Sequence, residues 1–184
     1  MDRQSESDEG LMCQVSQGRR EPMNMLLRRY ATPLLTFLHR MLGDPHQAEE
    51  LFQEVFLAVW TGRKSYDRTR PFRAWLFGIA MNKCRAEFRQ RRTQPVPVEA
   101  PVLVAAATDC SPDEAALAAE RAALVAAALA ELPDLQRTVM TLRIWQGLSY
   151  AEIATLLDRT ESTARSHMFH ALATVRGFLE RRLK

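Results

Sequence analysis

An all-α chain of two small helical domains, joined by a flexible linker and carrying a helix-turn-helix in the second, is what the sequence predicts. Three observations lead there. Apolar residues recur at three- and four-residue intervals through most of the chain, and no stretch alternates as a half-buried strand does. Residues 93–111 break that rhythm, with Pro95, Pro97 and Pro101 among small apolar side chains, the composition of a semi-extended linker. Ser149 to Arg176 reads as a short helix, a polar turn and a longer helix, the signature of a helix-turn-helix.

Taken in order, residues 1–20 carry few apolar side chains and are expected to form a disordered tail. The first domain is expected over 21–94. Glu21 and Pro22 open a helix whose stripe is Met25, Leu26, Tyr30, Leu34, Phe37, Leu38 and Met41; Pro33 either kinks or splits it, and Gly43 ends it. Asp44, Pro45 and Gln47 start the next helix as N-cap, first-turn proline and capping partner. Its buried stripe is Ala48, Leu51, Phe52, Val55, Phe56 and Val59, and Gly62 stops it. A basic loop leads to a third helix that Asp67 or Thr69 would cap, with Phe72, Trp75, Leu76 and Ile79 turned inward. The linker is expected over 95–111; fully extended, the stretch from Thr93 to Ser111 would reach ~60 Å. The second domain is expected over 112–184. Ser111, Pro112 and Glu114 start a helix running to about Ala130, Pro133 opens another containing Val139, Leu142 and Ile144, and Gly147 stops it. Ser149 and Glu152 form a capping box for the short helix, with Ile153, Leu156 and Leu157 on its apolar face. The last helix has Ala164, Met168, Leu172, Val175 and Leu179 as its buried stripe.

Charge locates candidate surfaces. The net charge is only +3, but 22 of the 25 cations are arginine, the side chain suited to bidentate contact with phosphate and guanine. Residues 63–92 hold ten cations against Asp67 and Glu87, which reads as a nucleic-acid footprint or a solvated basic surface. Asn82, Arg85, Arg89 and Arg92, with Gly78, form one outward stripe. Glu49, Glu50, Gln53, Glu54 and Leu57 form an acidic face with one leucine, fit for docking a basic helix or for simple solvation. The early outward positions of the last helix, Ser162, Thr163, Arg165, Ser166 and His167, suit phosphates and base edges, although an ordinary helical hairpin would also show a polar face.

Other classes are disfavoured. Cys13, Cys84 and Cys110 are odd in number and far apart, as reduced thiols are. His167 and His170 have no third ligand, and His39 and His46 share no spacing with them, so neither a metal nor a cofactor is expected. There is no nucleophile motif and no glycine-rich phosphate loop, so an enzyme is not expected. The start MDRQSESDEG is no signal peptide, and Ala115 to Ala130 is interrupted by Glu120 and Arg121, so the expected location is the cytoplasm, without membrane insertion.

Four stretches carry a family resemblance: LGDPHQAEELFQEVFLAVW (42–60), RPFRAWLFGIAMNKCRAEFRQRR (70–92), ALAELPDLQRTVMTLRIWQGLSYAEIATLL (128–157) and TARSHMFHALATVR (163–176). In this order and spacing the chain resembles a bacterial RNA polymerase sigma factor of the extracytoplasmic-function type, with sigma region two in 21–94 and region four in 112–184. The resemblance implies that Glu50, Leu51, Gln53 and Glu54 dock on the clamp helices of one large polymerase subunit; helix geometry adds Leu57. It implies a second contact with the flap of the other large subunit, binding to promoter DNA, and an anti-sigma protein as inhibitory partner. Arg68, Arg70 and Arg73 would hold the unpaired strand of the minus-ten element, Asn82 would lie near its flipped base, and Arg85 and Arg89 continue that surface. Ser162, Thr163, Arg165, Ser166, His167 and Phe169 would face the minus-thirty-five duplex. The chain departs from the family pattern at Ala86, where an aspartate is common, at Asp158, where glycine is common, and at His167 and Phe169, where arginine and histidine are usual. An unusual base preference is therefore expected at the minus-thirty-five element.

Overall fold

A computed structural model of the protein describes residues 7–93 and 112–182. Among them are α1 (Asp8–Ser16), α2 (Glu21–Leu42), α3 (Pro45–Thr61), a 3₁₀ turn at Arg63–Ser65, α4 (Phe72–Thr93), α5 (Pro112–Ala130), α6 (Asp134–Ile144), α7 (Tyr150–Leu157) and α8 (Glu161–Arg182), and no strand. The chain divides into two compact units, Met1–Leu38 with Glu49–Pro95 and His39–Ala48 with Val96–Lys184. The proline-rich linker, Cys110 and the expected Ser111 cap lie outside the described residues.

The expected tail is corrected: Asp8–Ser16 is a helix. Ser7 caps it by accepting from the Gly10 amide at 3.1 Å, and Asp8 and Glu9 place negative charge in its first turn. Its end is a left-handed turn at Gly18 (φ 93°), where the Gly18 and Arg19 amides donate to Val15 and Gln14 carbonyls. Leu11, Met12 and Val15 are fully buried, each worth about 1.5–3 kcal/mol relative to exposure. The spacing of these three was a readable signal, outweighed by the polar residues around them.

In the first unit α2 continues through Pro33 without splitting. Its buried side is Leu26, Tyr30, Leu34, Phe37 and Leu38, while Met25 is 43% exposed and does not join it. On α4 the core positions are Phe72, Leu76, Phe77, Ala80, Met81 and Cys84, and Trp75 and Ile79 are only half-buried. Phe37 and Phe77 meet edge to face at 5.3 Å.

In the second unit Arg137 closes the C-terminal end of α5, donating to the carbonyls of Leu129 (2.9 Å), Ala130 (3.3 Å) and Leu132 (3.0 Å). Cations at this end complement both the orphan carbonyls and the helix dipole. The Ser149–Glu152 capping box forms in both directions. The α8 stripe is Ala164, Met168, Ala171 and Phe178, and Leu172 is 49% exposed. At ~100° per residue, Leu172 lies about 80° beyond Ala164 after eight residues, whereas steps of four, three, four and three keep pace with the helix. Ile144, at the end of α6, is likewise 50% exposed.

The turn between α7 and α8 rests on Asp158, which adopts φ 53° and ψ 53°, the only non-glycine residue with positive φ among the described residues. Aspartate tolerates this region where most side chains do not. Asp158→Val is expected to destabilise the second unit by about 1–2 kcal/mol, while Asp158→Asn stays near wild type; denaturant titration of both variants checks the pair.

Candidate nucleic-acid interface

The basic loop between α3 and α4 is held by its own polar groups and by an aromatic cluster. Asp67 accepts from the Thr69 amide (2.9 Å) and the Thr69 hydroxyl (2.7 Å), which holds its carboxyl below the usual carboxylate range. Its other oxygen lies 3.6 Å from Arg70 Nε. Tyr66 is buried and donates its hydroxyl to the Arg70 carbonyl at 2.7 Å. Its ring packs against Trp75 (5.1 Å) and Phe72 (6.1 Å), and Tyr30 meets Phe72 edge-on at 5.4 Å. Burial pushes the Tyr66 hydroxyl up to about 12, with Glu9, Asp67 and Asp8 adding to it. Burial, then the Asp8 hydrogen bond, drives the Tyr30 hydroxyl higher still. Both phenols therefore stay protonated donors at neutral pH.

Neither Asp67 nor Thr69 caps α4, contrary to expectation. The Phe72 amide donates to Glu9 Oε1 of α1 at 3.0 Å. No local sequence signal pairs residues 63 positions apart, so spacing alone does not reveal this cap.

The structure leaves Arg68 and Arg70 exposed on the loop and Arg73 half-buried in the first turn of α4, its Nε buried without a hydrogen-bond partner. Asn82 and Arg89 are exposed on α4 and Arg85 is half-buried between them. Ala86 is exposed and Glu87 half-buried.

On α3 the residues expected to dock separate into two groups. Glu50, Gln53, Glu54 and Leu57 are exposed, Leu57 at 62%. Leu51, at 7% exposure, lies in the core beneath that face, where the stripe it shares with Ala48, Val55 and Val59 puts it. Glu54 is paired with Lys83 of α4 at 2.7 Å. Such a solvent-facing pair is worth only about 0.2–1 kcal/mol, little enough for another cation to displace.

The α8 surface begins with a cap. Thr160 Oγ1 accepts from the Thr163 amide (3.2 Å) and shares a hydrogen bond with the Thr163 hydroxyl (2.8 Å). Thr163 is thereby half-buried and partly committed to the helix start. Ser162, Arg165 and Ser166 are exposed, and His167 is half-buried. Arg165 is held in place, bonded to Glu161 one turn earlier and lying over the Tyr150 ring at 4.5 Å. Arg143 lies over the same ring at 4.9 Å and donates to the Leu148 carbonyl. Tyr150 is thus a platform for two guanidinium groups, which sequence spacing did not show. Phe169 is 70% exposed, with its ring edge-on to His170, and together with Leu172 it makes an apolar strip along the outer side of α8. No group of three or more metal-ligating side chains occurs among the described residues, and no helix there is long and apolar enough to cross a membrane.

Comparison with known proteins places the chain in a family. Residues 26–94 match Sigma-70 region 2, and residues 122–175 match Sigma-70, region 4. The chain is 35% identical over 159 residues to the ECF RNA polymerase sigma factor SigL of Mycobacterium tuberculosis, covering 86% of this chain and 89% of that protein. It is 29% identical over 174 residues to the RNA polymerase sigma-H factor of Pseudomonas aeruginosa, covering 90% of each. Among solved structures, CnrH in complex with the cytosolic domain of CnrY matches with a TM-score of 0.73 at 26% identity, over 95% of this chain and 97% of that one.

Proposed function

Because the chain belongs to the extracytoplasmic-function sigma factors of RNA polymerase, which bind core polymerase and direct it to promoters, we propose how its surfaces divide that work. Glu50, Gln53, Glu54 and Leu57 dock on the clamp helices of one large polymerase subunit, with Leu51 supporting them from the core, and the second domain meets the flap of the other large subunit. Arg68, Arg70, Arg73, Asn82, Arg85 and Arg89 hold the minus-ten element as it opens. Ser162, Thr163, Arg165, Ser166, His167 and Phe169 face the minus-thirty-five duplex, with Arg165 on a base edge and Phe169 against a thymine methyl. The domains follow the boundaries 21–94 and 112–184, joined by the linker 95–111, with α1 now part of the first.

The observation that carries this reading is the joint presentation, on one chain, of an exposed acidic face with a leucine, a braced basic loop and a helix-turn-helix reader with Arg165 fixed in place. Energetically the parts suffice. Unstacking costs a few kcal/mol per step, and each captured base returns ~1–3 kcal/mol, so a few contacts sustain opening once polymerase holds the DNA. In this reading the protein performs no bond chemistry of its own, works in the cytoplasm beside polymerase, and is held inactive by an anti-sigma protein. The solved complex of CnrH with a CnrY domain supports a polypeptide partner for this scaffold.

Co-elution with core RNA polymerase tests the docking face. Wild type should co-elute, and the Gln53→Ala/Glu54→Ala variant should bind at least about tenfold more weakly, the loss expected of a few interface anchors. Lys83→Ala, which frees Glu54, should retain binding. A wild-type chain that fails to co-elute yet binds promoter duplex tightly alone would replace this reading with a stand-alone DNA-binding regulator.

A further inference from the structure

The start of α4 lacks a cap of its own. The first amides of any helix need acceptors from outside it. Pro71, immediately before α4, has no side-chain acceptor, and Asp67 in the loop spends one carboxylate oxygen on Thr69 while the other faces Arg70. The acceptor comes from α1, where Glu9 Oε1 receives the Phe72 amide at 3.0 Å. The neighbouring acid grips the same place from another side: Asp8 accepts from the Tyr30 hydroxyl and pairs with Arg29 at 2.6 Å, and the Tyr30 ring rests edge-on against Phe72. Phe72 in turn supports Tyr66, whose hydroxyl holds the Arg70 carbonyl. Two consecutive carboxylates of α1 therefore converge on the joint between the basic loop and α4. Their own position is secured by the burial of Leu11, Met12 and Val15.

We propose that Glu9 is a positioning residue for promoter opening: by capping α4 it fixes where the helix begins, and with it how Arg68, Arg70 and Arg73 meet the unpaired strand. The proposal rests on the reading of this loop as the minus-ten reader. It is a claim about reach and hydrogen bonding rather than charge, since a carboxylate beside a phosphate-binding loop repels DNA if it acts by charge alone. Three substitutions separate the two. Glu9→Gln keeps the length and the acceptor oxygen without the charge. Glu9→Asp keeps the charge and loses one methylene of reach. Glu9→Ala removes both.

The experiment reconstitutes each full-length variant with core RNA polymerase. It measures affinity for core, capture of a single-stranded minus-ten oligonucleotide, and opening of a duplex promoter by 2-aminopurine fluorescence. Glu9→Ala and Glu9→Asp are expected to weaken strand capture and slow opening by about tenfold, the scale of a lost helix cap, with core affinity within about twofold of wild type. Glu9→Gln should match wild type or exceed it. The proposal is overturned if Glu9→Ala captures the strand like wild type, if core affinity falls in parallel with capture, or if Asp rescues and Gln does not. Wild-type holoenzyme that captures no strand would overturn the minus-ten reading itself, and this proposal with it.

Discussion

Phe72→Ala is expected to destabilise the first unit by about 3–5 kcal/mol, the cost of removing a fully buried aromatic ring and leaving its cavity. Phe72 has no exposed surface and contacts Tyr30, Tyr66 and Trp75, so three rings lose a partner at once. Folded domains commonly hold about 5–15 kcal/mol in total, so the loss takes a large share of the margin. The damage should be local before it is global. Amide hydrogen exchange should accelerate first at the start of α4, in the loop and in α1, which Glu9 fastens to the Phe72 amide. The second unit should exchange as in wild type. Phe72→Leu, which keeps most of the apolar volume, should lose much less stability. A cost below about 1 kcal/mol for the alanine variant would mean that the cluster does not organise the loop.

Arg165→Ala should lower holoenzyme affinity for the minus-thirty-five duplex by about 1–3 kcal/mol, or roughly five- to 150-fold, with discrimination lost at one base position. The physical ground is pre-organisation. Arg165 stacks on Tyr150 and is bonded to Glu161, so its guanidinium loses little freedom when it meets DNA. Arg165→Lys should not rescue, because an ammonium has neither the planar fork nor the stacking face. A uniform loss across all sequences, with a shallower salt slope and intact discrimination, would reassign Arg165 to a phosphate. Anisotropy titrations with single-base variants of the duplex, each at two salt concentrations, decide between the two.

What could be read early was whatever is written within about one helical turn. The Asp44 cap and the Ser149–Glu152 box each involve residues at most three apart, and both occur in the structure. The exposed positions of the candidate surfaces followed from the same periodicity, as Asn82, Arg89, Gln53, Glu54, Arg165 and Phe169 show. A stripe extended by whole fours departs from the observed buried side, since each step of four overshoots a helical turn by about 40°. Leu172 lies off the buried side of α8 for that reason, and Met25 is exposed beside the buried Leu26 because neighbours on a helix point about 100° apart.

By itself, then, the sequence determined the helical class, the two-part organisation, the helix-turn-helix and the residues facing outward, because turns, caps and amphipathic stripes are local and periodic. Only the tertiary structure decided that α1 exists as a packed helix, that Glu9 caps α4, and that Tyr150 carries Arg143 and Arg165 together. Those arrangements join side chains from separate helices. A hydrogen bond across 63 residues has no period, so it exists only once the chain has folded around it.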